Sequence, residues 1–263
     1  VSGAEALSPK ALPLLSDNYE RGKVLPLTKD IKLNGVTFAY QSTDVPVLRD
    51  VTLSIECNSI IGIVGTTGSG KTTLVDLILG LLRPQSGEIL VDDVPITDAN
   101  LNTWQNGIGY VPQHVYLIDD TVARNIALGV PDEEIDQAEI ERAATIANIH
   151  DFIINDLSKG YQTSVGERGV RLSGGQCQRI GIARALYHNP SVLVFDEATS
   201  ALDSDTEAAV MDAINELAGT RTILMIAHRL TTLEACQAIF RVQGGRVWTE
   251  TKADDAVASM AIG

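Results

Sequence analysis

The chain is poor in basic residues. Lysine and arginine number 20 against 34 aspartates and glutamates, so its 263 residues carry a formal net charge of −14. Nucleic acids and anionic membrane surfaces are held by an excess of lysine and arginine, and this balance argues against both as partners. Cysteine is scarce: Cys57, Cys177 and Cys236 are widely separated and odd in number. They read as reduced thiols of a cytosolic setting, each behaving as a small buried hydrophobe. No run approaches the ~20 apolar residues that span a bilayer. The longest apolar stretch, Leu74 to Leu82, is interrupted by Asp76 and Gly80. No basic start leads into an apolar core, so no signal peptide is expected. Internal repeats and long heptad runs are absent too, which removes a coiled coil.

What remains is globular. Hydrophobic residues make up 44% of a chain long enough for one domain, or one domain with a sizeable insertion. The first thirty residues are unpatterned and carry Pro9, Pro13 and Pro26, so residues 1–30 read as a cut linker. From Ile31 to Ile55 apolar residues alternate (Ile31, Leu33, Val36, Phe38, Tyr40, Val47, Val51, Leu53, Ile55), predicting short β-strands. Ile60 to Val64 is continuously apolar, as in a strand buried on both faces of a parallel sheet. Thr72 to Leu82 predicts a helix, and Ser191–Phe195 and Thr222–Ala227 predict two more sheet strands. The region from about Asn125 to Arg171 is helical in character. Asp136 caps one helix there, with Glu139 three residues on. Further helices are predicted over Cys177 to His188, stopped by Asn189-Pro190, and from a capping box Ser204-x-x-Glu207 to Gly219. The expectation is an α/β fold.

Three motifs carry the chemistry. Gly65-Thr66-Thr67-Gly68-Ser69-Gly70-Lys71-Thr72 has the form GxxxxGK[ST], with a predicted strand before it and a helix after it. Its glycines let successive N–H groups and a helix N-terminus face a phosphate, and that context excludes a chance glycine turn. Lys71 then meets the β- and γ-phosphates, and Thr72 gives a hydroxyl to Mg2+. Val192-Leu193-Val194-Phe195-Asp196-Glu197 is an apolar strand ending in two carboxylates. Asp196 suits Mg2+, and Glu197 suits the attacking water. Between these motifs lies Leu172-Ser173-Gly174-Gly175-Gln176.

In this order the motifs resemble the nucleotide-binding domain of ATP-binding cassette (ABC) transporters, over about Ile31 to Glu250. The resemblance implies a P-loop NTPase core with a mostly parallel sheet, an N-terminal antiparallel β subdomain and an inserted α-helical subdomain at about residues 120–190. Residues 31–250 are then the ATPase domain, 1–30 a linker from an upstream membrane domain, and 251–263 a C-terminal tail. It implies ATP and Mg2+ as ligands, with Thr73 at the α-phosphate, Tyr40 stacked on adenine, Gln113 at Mg2+ or water, and His228 at the γ-phosphate. His114, His150 and His188 read as ordinary surface or core residues. Because ATP is an anion, the site is a positive spot on an acidic chain.

In this family Ser173, Gly174, Gly175 and Gln176 meet the ATP held by a second cassette. Ser200-Ala201-Leu202-Asp203 resembles the loop that crosses that interface. A symmetric homodimer with two shared sites is the simplest assembly, and the same Ser173 turn also serves as a helix cap. Thr163 to Gly169, with Glu167 and Arg168, resembles an exporter loop that touches the membrane domain of the same polypeptide. The implied function is ATP hydrolysis driving export or lipid flipping, at the cytoplasmic face of the inner membrane. Two departures from the family pattern are Cys177, where a basic residue is common, and Leu117-Ile118-Asp119-Asp120, which resembles lipid-linked glycan exporters. Three other readings fit less well. Chromosome-type ABC ATPases insert a coiled coil for which the interval from Lys71 to Ser173 is too short. Ribosome-type members carry two cassettes and are usually basic. A regulatory, non-hydrolysing cassette does not need Glu197 and His228.

Overall fold

Apolar spacing in the first strand breaks step between Leu33 and Val36, and the backbone shows why. In β1 (Asp30–Phe38) the residues Ile31, Leu33, Val36 and Phe38 are all buried. The pairing to β2 (Leu48–Glu56) shifts register between Leu33 and Val36, where Gly35 takes φ +59°. The irregularity returns Val36 to the buried face. The computed structural model describes residues 23–41, 45–166, 169–198, 203–227 and 233–250.

β1 and β2 join β4 (Ser86–Val91) and the short β5 (Val94–Pro95) in an antiparallel sheet of order β2-β1-β4-β5. The second sheet contains β3 (Ile60–Val64), β6 (Ile108–Val111), β7 (Val192–Asp196), β8 (Thr222–Ile226), β9 (Ala238–Gln243) and β10 (Arg246–Glu250). Its order is β10-β9-β3-β8-β7-β6, parallel throughout except for β10 against β9. The expected mixed fold is therefore present.

The continuous apolar runs have a physical reason: alternate residues feed two different cores. Val192, Val194, Leu224 and Ile226 face a core shared with the antiparallel sheet and α1 (Lys71–Ile78). Leu193, Phe195, Ile223 and Met225 face a second core built with the helical region. That region holds α3 (Val122–Ile126), α4 (Gln137–Ile146), α5 (His150–Asp156) and α6 (Gly174–Leu186). Two further helices are α2 (Leu101–Gln105), whose Trp104 indole donates to the Ile78 carbonyl at 2.8 Å, and α7 (Ser204–Glu216). Among the described residues no helix is long and apolar enough to cross a membrane.

Four differences from the sequence reading have a clear local cause. α1 stops at Ile78 because Gly80, at φ +70°, turns the chain before Leu82. α6 begins three residues before Cys177, since Ser173 and Gln176 form a reciprocal capping box that draws Gly174 and Gly175 into the first turn. α7 is capped by Asp203, which accepts from the Thr206 N–H at 3.0 Å, so Ser204 is its first helical residue. The stretch before β1 is also not loose throughout. Leu27 is buried in the core, and the Asp92 carboxylate accepts from the N–H groups of Thr28, Lys29 and Asp30 and from the Thr28 hydroxyl.

Candidate functional site

The loop from Gly65 to Gly70 leaves central β3 and enters α1. Glycine is demanded at its first position by a close approach: a Cβ on Gly65 would lie 2.3 Å from the Val242 carbonyl oxygen. At its end Gly70 takes φ +108° as the residue before the helix. Between them the Ser69 N–H donates to the Thr66 carbonyl at 3.1 Å, closing a tight turn under exposed Thr66, Thr67 and Gly68.

The N-terminus of α1, like that of the short α2, carries no side-chain cap. Helices α3, α4, α6 and α7 are each capped by a side chain, from Thr121, Asp136, Ser173 and Asp203 respectively. α1 has neither a side-chain cap nor an acid in its first turn. Its leading N–H groups and the positive end of its dipole are therefore open to an anion. Lys71 adds a cation there. It is 6% exposed, and its ammonium donates to the carbonyls of Gly65 (2.9 Å) and Thr66 (3.2 Å). Burial pushes its pKa down, while the charges of Glu197 and Asp196 work in the opposite direction. The Ser69 hydroxyl oxygen is buried and has no hydrogen-bond partner, a second polar group in the loop left for a ligand to satisfy.

Two further expected residues stand beside this end of α1. The Tyr40 hydroxyl lies 3.0 Å from the Thr73 hydroxyl, and the Tyr40 ring meets Phe38 edge-on with centroids 5.0 Å apart. Tyr40 stays 41% exposed, so a ring face is available next to the phosphate loop. Thr72, on the first turn, is exposed.

The acids come from β7. Asp196 ends the strand, and its Oδ2 accepts from the Tyr110 hydroxyl at 3.2 Å. Glu197 follows at φ +51°, unusual for a residue with a Cβ, with its N–H donating to the Ile226 carbonyl. The Gln113 amide donates to Glu197 Oε2 at 2.7 Å, bringing together two residues that lie far apart in sequence. Asp76, half-buried on α1, has its pKa raised by burial and then by the charge of Asp196. Oxygen donors from Thr72 and Asp196 fit Mg2+, a hard cation that keeps several waters and binds largely through phosphates. No cluster of three or more His, Cys, Asp and Glu side chains able to cage a metal occurs among the described residues.

The signature turn stands apart. Among the described residues no hydrogen bond or ion pair joins 65–73 to 172–176. Gln176 spends its side chain on the Ser173 N–H at 2.8 Å, and Asp203 caps α7, its carboxyl held low by hydrogen bonds from Thr206. His228, Ser200, Ala201, Leu202, Glu167 and Arg168 lie outside the described residues. Cys177 packs as a small hydrophobe, and burial raises its pKa.

Sequence reasoning missed a bolt between α6 and the segment after Gln113. Asn125, fully buried, accepts from the Ile118 N–H and donates to the carbonyls of Ile118 and Thr121. Arg184 of α6 donates to the Asn125 carbonyl (2.8 Å) and to the Tyr116 carbonyl (3.1 Å). Gln178 donates to the Pro112 carbonyl at 3.3 Å, and Gly181 admits Val115 so closely that a Cβ would sit 2.4 Å from it. The roles of Tyr110 and Asp76 were missed as well. For Asp76 a signal existed, since it lies one helical turn after Thr72.

The sequence model of the ABC transporter family matches residues 48–200, more than half of the chain. The chain belongs to that family. As an ABC cassette it is 46% identical over 217 residues to the ATP-dependent lipid A-core flippase of Saccharophagus degradans, covering 82% of this chain and 36% of that protein. It is 44% identical over 217 residues to a Staphylococcus aureus protein named for multidrug export as an ATP-binding/permease protein, covering 82% and 37%. A solved bacterial Atm1-family ABC exporter with ATP bound superposes with a TM-score of 0.83 at 35% identity, over 92% of this chain and 43% of that one. The cassette thus spans little more than a third of those two curated relatives.

Proposed function

We propose that this cassette binds ATP with Mg2+, hydrolyses the ATP, and serves as the ATPase domain of a membrane exporter. One arrangement carries the reading: an uncapped helix N-terminus holding a buried lysine, within electrostatic reach of Asp196 and a Gln113-bound Glu197. The triphosphate takes the N–H groups of 65–73, with Lys71 leaving its loop carbonyls for the β- and γ-phosphates and Thr73 reaching the α-phosphate. Tyr40 offers its ring to adenine. Thr72, Asp196 and Gln113 would hold Mg2+, which when bound would offset charge on the phosphates. Glu197, aimed by the Gln113 amide, accepts a proton from water as the water oxygen bonds to the γ-phosphorus. The bond to the bridging oxygen breaks, and ADP leaves with that electron pair. His228 serves at the γ-phosphate.

Ser173, Gly174, Gly175 and Gln176 reach the nucleotide of a second cassette, and Asp203 lies at that junction. A homodimer closed around two ATP follows. The membrane part belongs to the same polypeptide, which puts the cassette on the cytoplasmic face of the inner membrane. Relatives named for lipid A-core flipping and multidrug export support outward transport. Glu197→Gln tests the chemistry: nucleotide binding should persist while turnover falls at least ~10²-fold. Lys71→Ala should lose nucleotide affinity as well. Near-normal turnover by Glu197→Gln in a clean preparation would remove Glu197 from its role.

A further inference from the structure

We infer that Tyr110 is a positioning residue for Asp196, aiming through one hydrogen bond the carboxylate that serves Mg2+. The inference rests on the ATP–Mg2+ reading above and deepens it. β6 is the edge strand of the parallel sheet, and its Tyr110 pairs with Val194 of β7. Side chains alternate along a strand, so Val194 and Asp196, two residues apart, share a face, and it is the one turned toward α1. Tyr110 packs against the same core, and its hydroxyl reaches Asp196 Oδ2 at 3.2 Å. α1 contributes Asp76, one turn beyond Thr72. Its charge and that of Asp196 are near enough to repel each other.

This geometry sets a problem that the hydroxyl solves. A carboxylate rotates readily about its last bond, because that sp³–sp² torsion is broad. The Asp76 charge nearby acts on that rotation, with nothing in the repulsion itself to favour the direction a hydrated cation needs. A neutral O–H donor fixed on an adjacent strand holds Oδ2 in one place and so sets the direction of the other oxygen. A tyrosine hydroxyl, with an ordinary pKa of about 10, carries its proton at neutral pH and so can donate to the carboxylate. A ring fixed in the sheet core gives that donor little freedom. Groups that orient ligand side chains from behind in this way typically change metal affinity by about 10–100-fold.

Tyr110→Phe removes the hydroxyl and leaves the ring's packing. Equilibrium binding of a fluorescent ATP analogue to this chain is measured in EDTA and then across a Mg2+ titration, with a thermal melt of each protein. The expected result is an unchanged melt, EDTA affinity within about two-fold of wild type, and a Mg2+ half-saturation raised roughly 10-fold. Adding Asp76→Asn removes the opposing charge, so the double variant should recover part of that loss. Mg2+ half-saturation in Tyr110→Phe that matches wild type would overturn the role of Tyr110, as would equal losses with and without Mg2+. A wild-type chain whose nucleotide binding ignores Mg2+ would instead overturn the reading of the site itself.

Discussion

Asn125→Ala is the most informative perturbation of the scaffold around the site, because its cost can be worked bond by bond. The side chain makes four hydrogen bonds: from the Ile118 N–H and Arg184 to its oxygen, and from its amide to the Ile118 and Thr121 carbonyls. The two carbonyls keep other donors, since the Asp120 N–H reaches Ile118 and the Asn125 N–H reaches Thr121. Arg184 keeps its bonds to the Asn125 and Tyr116 carbonyls. Only the Ile118 N–H is orphaned, at about 1–3 kcal/mol, and the lost guanidinium bond adds roughly 1 kcal/mol. A loss of about 2–4 kcal/mol corresponds to a fall in Tm of roughly 4–16 °C at this chain size. Thermal and urea melts would check it. Hydrogen exchange should rise first at 115–118, where Tyr116 and Ile118 are 74% and 46% exposed, and not in β3 or β8. Pairing the change with Arg184→Met should give non-additive losses, as residues in one network do. A loss under about 0.5 kcal/mol, the range of ordinary surface changes, would mean that the bolt carries no stability.

Two other outcomes are expected. Burial alone would raise the Asp92 pKa, but the hydrogen bonds from Thr28, Lys29 and Asp30 outweigh it and hold the carboxyl below its ordinary value. The clamp is therefore fully present above the unfolded carboxyl value near ~4 and lost as pH falls through the lower folded value. Asp92→Asn should melt below wild type at pH 7, with the gap closing in acid; a gap independent of pH would refute the clamp. Mixing inactive Lys71→Ala with inactive Ser173→Arg should restore part of the ATPase activity, because one site of a mixed dimer collects both defects and the other is intact. No recovery, with mixed dimers shown by cross-linking, would count against a shared site.

Legibility in the sequence followed locality. The phosphate loop uses backbone groups, so its chemistry is written as glycine spacing, and the steric need at Gly65 is the physical content of that spacing. The runs of β3, β7 and β8 were legible because these inner strands bury both faces, whereas β9, with Arg241 and Gln243, has no such run. The Tyr110–Asp196 bond and the Asn125–Arg184 bolt were not, since they join residues 86 and 59 positions apart and no periodicity encodes such a meeting. The start of α6 was legible in part: Ser173 read as a helix cap, as it is, while the helix span read only from Cys177 because the breaking tendency of glycine hid the reciprocal cap that draws in Gly174 and Gly175.

Gly174 is also the converse of Gly65. No positive φ requires glycine there, and among the described residues a Cβ would meet nothing within 4 Å. Alanine would fit this chain, and in a helix it is the better residue by up to about 1 kcal/mol. Nothing among the described residues therefore accounts for the glycine. The proposed shared site would, because a helix start that must let a second molecule's phosphate come close to its N–H groups loses that approach with each added side chain. Gly174→Ala then separates the two accounts. It should leave the melt of the single chain equal or higher and lower the activity of the dimer; unchanged activity would leave the glycine without a role between molecules.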